Sequence, residues 1–198
     1  MSLFPDEKIV FDLPDATIEY FPAFFQLDKA NDFFEKLKFE IPWQQDTITV
    51  YGKNHLQPRL TALFGNEGRP YGYSNIIMQP HQWNPLLTYI KEEVEKECEV
   101  SFTTVLLNYY RNGQDSMGWH ADNEQELGRN PIIASVTFGA ERVFQLKHNS
   151  LDSKQNITLE HGSLLVMRGT TQHFWKHQIA KTQKEIGGRI NLTFRIIK

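Results

Sequence analysis

Only one cysteine, Cys98, occurs in 198 residues, so no disulfide can form within the chain. That favours a reducing compartment and a domain held by its own hydrophobic core. Long apolar runs are missing too, and no stretch approaches the roughly 20 apolar residues of a membrane helix. The opening MSLFPDEK is acidic and lacks the apolar stretch of a secretory signal. The expected location is therefore the bacterial cytoplasm, or the nucleus if eukaryotic, and not outside the cell. There is no repeat and no low-complexity linker. Positive charge is not in excess either, with a formal net charge of −3 and a pI of about 6.2. Overall charge therefore gives no footprint for nucleic acid. Its distribution is less neutral. From Arg168 onward the charged residues are Arg168, Lys176, Lys181, Lys184, Arg189, Arg195 and Lys198, against Glu185 alone. A local basic face would suffice for phosphate contacts, and a solvated mixed surface is the plainer alternative.

What is present reads as one globular domain. Hydrophobic residues make up 40% and charged residues 23%, the balance of a protein that buries a core. Two helices stand out. In LDKANDFFEKLKF, Asp28 is placed to cap, and Ala30, Phe33, Phe34 and Leu37 recur on one face. In NPLLTYIKEEVEKEC, Asn84 and Pro85 form a cap followed by a first-turn proline. Leu87, Ile90 and Val94 make the buried stripe, and EEVEKE is the solvated face. Residues 46 to 83 are aromatic, glycine-bearing and irregular, with a short strand expected at Thr47 to Tyr51. Long loops rich in Tyr, Arg and Gly tend to be working parts. From residue 101 the texture turns to β: FTTVLLNYY, IIASVTFG, RVFQLKH, NITLEH, SLLVMRG, FWKHQIA and RINLTFRII, separated by turns such as RNGQD and FGAER. No helical crossovers lie between them, so a jelly roll or barrel is expected and a parallel α/β sheet is not.

The chemistry-bearing stretch is GWHADNE, residues 118 to 124. In an extended chain His120 and Asp122 point to the same side, with Ala121 turned away. A third metal ligand would come from another strand, and His177 in FWKHQIA is the candidate. Two histidines and one carboxylate on one face of a metal leave the opposite positions open, a pattern that favours non-haem Fe(II). With seven histidines in the chain, such a triple is also expected by chance. The last strand weighs more. RINLTFR sets Arg189, Asn191, Thr193 and Arg195 on one face and Ile190, Leu192, Phe194 and Ile196 on the other. Two arginines and an amide together suit a small dicarboxylate, because guanidinium binds carboxylate through paired hydrogen bonds. The alternative is a pair of surface arginines on an edge strand. In LLNYY, Asn108 and Tyr110 also share a face and can donate to the same anion.

Six motifs then occur in order: N-x-Y (Asn108, Tyr110), W-H-x-D (Trp119 to Asp122), SVTFG (Ser135 to Gly139), HGSLLVM (161 to 167), W-x-H (Trp175, His177) and R-x-N-x-T-x-R (Arg189 to Arg195). Together they resemble the AlkB family of Fe(II)- and 2-oxoglutarate-dependent nucleic-acid dealkylases, in particular its duplex-DNA-repair branch and the bacterial relatives of that branch. The resemblance covers about residues 46 to 198. It implies an α+β, mainly β fold: a double-stranded β-helix (jelly roll) core with N-terminal helices and a nucleotide-recognition lid. It also implies a single dioxygenase domain over 1–198, with helices and lid in about 1–100 and the core in about 101–198.

The same resemblance implies that His120, Asp122 and His177 bind Fe(II), and that Arg189, Arg195, Asn108, Tyr110 and Asn191 hold 2-oxoglutarate. With O2 as oxidant, 2-oxoglutarate would be decarboxylated to succinate and the alkyl group of an N-alkylated base lost as an aldehyde, formaldehyde from a methyl group. The implied partner is alkylated DNA, or RNA, bound by a monomer without a membrane. 1-Methyladenine and 3-methylcytosine are the implied lesions. Tyr51 matches the position of an aromatic finger that fills the gap left by a flipped base, with Gly52 in the turn beneath it. Lys53 and Arg59 would reach phosphates. Tyr73 would stack on the base opposite His120, and Tyr71 and Glu124 would meet its edge. Read without the resemblance, Tyr51, Tyr71 and Tyr73 are a hydrophobic cluster under a loop. One departure is visible: Ala180 stands where many relatives carry proline. The competing readings are the same chemistry on RNA or protein, a non-catalytic nucleic-acid-binding module, and a zinc hydrolase. The last has no use for a dicarboxylate clamp.

Overall fold

The computed structural model describes residues 8–50, 52–66, 71–73 and 76–198, with 49, 50, 71–73 and 76–78 described by backbone alone. Strands β1 (Ile9–Phe11) and β2 (Thr17–Phe21) precede helix α1 (Leu27–Glu40). Then come β3 (Thr47–Val50), β4 (Lys53–Leu56), β5 (Leu60–Gly65), β6 (Tyr71–Tyr73), β7 (Ile76–Met78) and helix α2 (Pro85–Cys98). The second half is β8 (Thr104–Tyr110), β9 (Met117–His120), β10 (Ile133–Gly139), β11 (Arg142–His148), β12 (Lys154–Leu159) and β13 (Ser163–Arg168). A short helix α3 (Thr171–Phe174) leads into β14 (Trp175–Ile179) and β15 (Arg189–Arg195).

Two antiparallel sheets carry the site. The large one has the order β1-β2-β13-β10-β15-β8-β5 and the small one β12-β11-β14-β9. Two separate hairpins, β3-β4 and β6-β7, lie outside them. The expected jelly-roll core is thus present. The large sheet is not drawn from the second half alone, since β1, β2 and β5 come from the first hundred residues.

Local chemistry accounts for the helices. The Asn84 side chain accepts from the Leu87 N–H at 2.8 Å, and Pro85 follows where its missing N–H costs nothing. Leu87, Ile90, Val94 and Cys98 face inward. In α1 the expected cap is corrected. The helix starts at Leu27, the cap position is Gln26 without a side-chain bond, and Asp28 lies inside the first turn. There its charge still complements the helix dipole. Gly52 has φ +75° at the β3-β4 turn, a conformation in which an L side chain is strained.

The core has two layers. One packs α1 and α2 onto the outer face of the large sheet through Phe33, Leu37, Leu87, Ile90, Val105, Val136, Leu192 and Phe194, among others. The other lies between the sheets and includes Leu106, Tyr110, Ile133, Phe144, Leu146, Trp175 and Ile179. Every residue of β15 is buried, because this strand sits inside the large sheet between β10 and β8 and between both layers. Its odd positions therefore face the space between the sheets, and its even positions face the helices. Among the described residues, no helix is long and apolar enough to cross a membrane.

Candidate active site

The small sheet brings the histidines together. β14 pairs antiparallel with β9 so that His177 lies directly across from His120. Cross-strand neighbours on one face have adjacent side chains, and the two imidazole centroids are 4.2 Å apart. β9 ends at His120, and Asp122 follows in irregular chain. Ligand atoms of His120, Asp122 and His177 all lie within 4.8 Å of one another. His120 Nδ1 lies 2.8 Å from the Gly118 carbonyl oxygen. A carbonyl only accepts, so this nitrogen carries the proton and Nε2 is left as the ligand nitrogen. Phe144 stacks on the His177 ring at 4.9 Å.

The large sheet supplies the opposite wall. Arg189 is 1% exposed and Arg195 3% exposed. Arg195 Nη2 donates to Asp122 Oδ1 at 2.9 Å, joining β15 to the histidine pair. Arg189 lies across from Tyr110 of β8, with its guanidinium carbon 5.2 Å from the ring centroid. Its Nη2 donates to Thr137 Oγ1 at 2.9 Å, while Nε and Nη1 are buried with no hydrogen-bond partner among the described residues. Asn191 donates to Ser135 Oγ at 2.7 Å and to the Val136 carbonyl at 3.1 Å, and its Oδ1 accepts from Thr193 at 3.0 Å. Between the walls lies about 490 Å³ of atom-free space, part of it open to solvent. His120, Asp122, His177, Asn108, Tyr110, Arg189, Asn191 and Arg195 all line it.

Burial sets the electrostatics. On its own it would raise the Asp122 carboxyl, but Arg195, His177 and His120 outweigh it and hold that group at about 2. Burial pushes the His177 imidazole down to about 3, with His120 reinforcing the shift and Asp122 opposing it. His120 is lowered by burial against the pull of Asp122. Two neutral imidazoles and one carboxylate form the donor set a divalent metal needs without displacing protons. Burial also lowers Arg189, to about 10, with Tyr110 offsetting part of the shift. It stays charged at neutral pH while no carboxylate among the described residues pairs with it. A buried cation with two unanswered donors is costly unless an anion completes it.

All six residues expected to contact the substrate fall elsewhere or stay open. The expectation that Arg59 reaches phosphates is corrected. It is buried, and its Nε donates to Asn108 Oδ1 at 2.8 Å, because the turn after β4 carries it into the interior beside β8. Lys53 is exposed on β4. Glu124 is half-buried and opens the short 3-10 turn Gln125–Leu127. Tyr51 lies outside the described residues. Of Tyr71 and Tyr73, only the backbone is described, paired with Met78 and Ile76. Two sets of site residues went unnoticed in the sequence. Ser135, which lines the cavity, and Thr137, which accepts from Arg189, share a face by the alternation that marked β15, so the same reading of ASVT would have found them. Gln172, whose Oε1 accepts from the Asp122 N–H at 2.9 Å, carries no sequence signal at all.

The 2OG-Fe(II) oxygenase superfamily model matches residues 17–195. The DNA oxidative demethylase ALKBH2 of Homo sapiens is 34% identical over 188 residues, covering 89% of this chain and 72% of that protein. This chain belongs to the AlkB family of 2OG-Fe(II) oxygenases. The alpha-ketoglutarate-dependent dioxygenase alkB homolog 3 of Bos taurus is 41% identical over 186 residues, or 89% of this chain. The chain spans 64% of the length of that relative. The solved structure of OsALKBH1 superposes with a TM-score of 0.68 at 16% identity, covering 96% of this chain and 100% of that one. At that identity it bears on the fold, and the fold agrees. The family requires Fe(II) and 2-oxoglutarate, and the residues present fit both: the three-ligand cluster for the metal, and the unanswered Arg189 donors for a dicarboxylate.

Proposed function

We propose that this AlkB-family chain is a DNA oxidative demethylase that removes alkyl groups from ring nitrogens of bases, releasing formaldehyde from a methyl group, with 1-methyladenine and 3-methylcytosine as substrates. One observation carries the reading. A buried arginine with two donors unanswered among the described residues opens onto the same cavity as a His-Asp-His cluster. A hydrolytic zinc site needs no such clamp, and a passive binding module would gain nothing from burying a charge.

In this proposal His120, Asp122 and His177 hold Fe(II), leaving positions open for substrates. Arg189 takes one carboxylate of 2-oxoglutarate, with Thr137 and Tyr110 fixing its orientation. Arg195 both orients Asp122 and borders the metal end of the cavity. Asn108 is held from behind by Arg59, and Asn191 sets the hydroxyls of Ser135 and Thr193. When bound, the iron, O2 and 2-oxoglutarate supply the oxidising chemistry, and the chain supplies orientation and a water-poor pocket. Both lesions are cationic, so the carboxylate of Glu124, just beyond the ligand loop, favours them over neutral bases. The base must leave the duplex to reach the site. Lys53 on β4 is the proposed phosphate contact, Tyr51 the group that fills the gap left by the base, and Tyr73 and Tyr71 the groups that stack on it and meet its edge. We assign residues 1–198 to one dioxygenase domain acting as a monomer, in the bacterial cytoplasm or the eukaryotic nucleus.

The test is formaldehyde release, dependent on 2-oxoglutarate, from oligonucleotides methylated at adenine N1 or cytosine N3. They are offered as duplex DNA, single-stranded DNA and RNA, beside a peptide. Turnover of DNA above RNA and peptide is expected. Equal rates on peptide, or release that survives Asp122→Ala, contradict the reading.

A further inference from the structure

We propose that Gln172 is the positioning residue for Asp122: its side-chain oxygen fixes the backbone of the ligand loop and so sets where the carboxylate points. The inference rests on the metal-site reading above and adds a residue to it.

Asp122 lies in a loop that no strand ladder holds. β9 ends at His120, residues 121–124 have no regular structure, and the pairing of β9 with β14 is already irregular between His177 and Ile179. A ligand two residues past the end of a strand would inherit the freedom of that end. In the structure it does not, because it is held at two points. Arg195 holds the carboxylate at Oδ1, and Gln172 holds the main chain by accepting the Asp122 N–H at 2.9 Å. Only the second of these fixes the backbone from which the side chain projects.

Gln172 is placed for this. It is 1% exposed although glutamine is usually a surface residue. Its Nε2 donates to Met167 Sδ at 3.4 Å, which orients the amide so that Oε1 faces Asp122. The helix it stands on, α3, is itself pinned. Thr171 Oγ1 donates to the Arg168 carbonyl at 2.6 Å and accepts from the Thr17 N–H at 3.0 Å. The chain from β13 to β14 therefore ties the Asp122 loop to the large sheet, while its next strand carries His177. One connection, residues 169–174, thus leads into the strand of one metal ligand and steadies another. Gln172 touches neither metal nor substrate, so its effect belongs to ligand geometry.

The experiment uses Co(II) as the probe, titrated into metal-free full-length protein, with the visible ligand-field spectrum and the melting temperature of the metal-free protein read alongside. Gln172→Met keeps the length and shape of the side chain and removes the acceptor. Weakening of Co(II) affinity by about tenfold, the usual scale for groups behind a metal ligand, is expected together with a changed spectrum. Gln172→Glu keeps an oxygen at the same reach and should bind within about threefold of wild type or more tightly. If Gln172→Met binds Co(II) within twofold of wild type with an unchanged spectrum, the proposal is wrong. Equal losses in the Met and Glu variants also overturn it. Should Gln172→Met fail to fold, Gln172→Asn, whose shorter arm withdraws the acceptor, replaces it with the same two outcomes. Asp122→Ala and His177→Ala serve as the separate check. If they bind Co(II) as well as wild type, the metal-site reading fails whatever Gln172 does.

Discussion

The two faces of β15 are equally buried and chemically opposite. Ile190, Leu192 and Phe194 press on the helices in a continuous hydrocarbon layer. Arg189, Asn191, Thr193 and Arg195 face a cavity between the sheets. Burial on the first face stabilises the chain by removing apolar area from water. On the second face it costs stability, because Arg189 has lost water and, among the described residues, gained too few partners. One face exists for folding and the other for a ligand, and substitutions on the two should fail in different ways.

The largest effect is expected at the ligands. His177→Ala or Asp122→Ala should lower 2-oxoglutarate-dependent turnover by more than about 100-fold, beyond what loss of a supporting group gives. Steady-state formaldehyde release is the measurement. On the cavity face of β15, Arg189→Met should raise the KM for 2-oxoglutarate by about 100-fold, the scale for losing one partner of a buried charge pair. The apo protein should melt no lower than wild type, because an uncompensated buried charge has gone. A matching fall in melting temperature would erase the distinction between the faces. On the helix face, Phe194→Ala should cost about 3–5 kcal/mol of stability in denaturant titration, with the 2-oxoglutarate KM of the folded fraction unchanged.

Acidity sharpens the same contrast. His177 titrates at about 3 in the fold against an ordinary value of 6.5, so between those values the unfolded chain binds the extra proton. The metal-free protein should lose stability as pH falls from 6.5 toward 3. Asp122, held at about 2 against 3.8, adds to the loss below 3.8. Denaturant midpoints at a series of pH values would show this slope, and His177→Ala should flatten it. The smallest effect is expected far from both faces. Asn84→Ala removes the α2 cap and should cost about 1 kcal/mol without changing catalysis.

Legibility followed periodicity. The arginine face of β15 and the Asn108-Tyr110 pair on β8 were readable because a strand alternates strictly, and both strands lie inside the large sheet where the alternation decides burial. The α2 start was readable because Asn-Pro has one local meaning. Arg59 was misread as a surface group, since a lone residue after Pro58 has no period to say which way it points. Its direction is set by pairing of the following strand, β5, with β8. Strands β1 and β2 are too short to announce themselves, and their place beside β13 is a long-range pairing. Gln172 was invisible for the same reason: only the fold brings α3 against the Asp122 loop.

The central claim is that the cavity face of β15 is built for a dicarboxylate beside a metal. It is tested most directly by titrating 2-oxoglutarate into Mn(II)-loaded protein without oxygen and following the heat of binding. One binding site per chain in the wild type, lost in Arg189→Met, is the predicted result. No binding to the wild type, or equal binding to the variant, would contradict it.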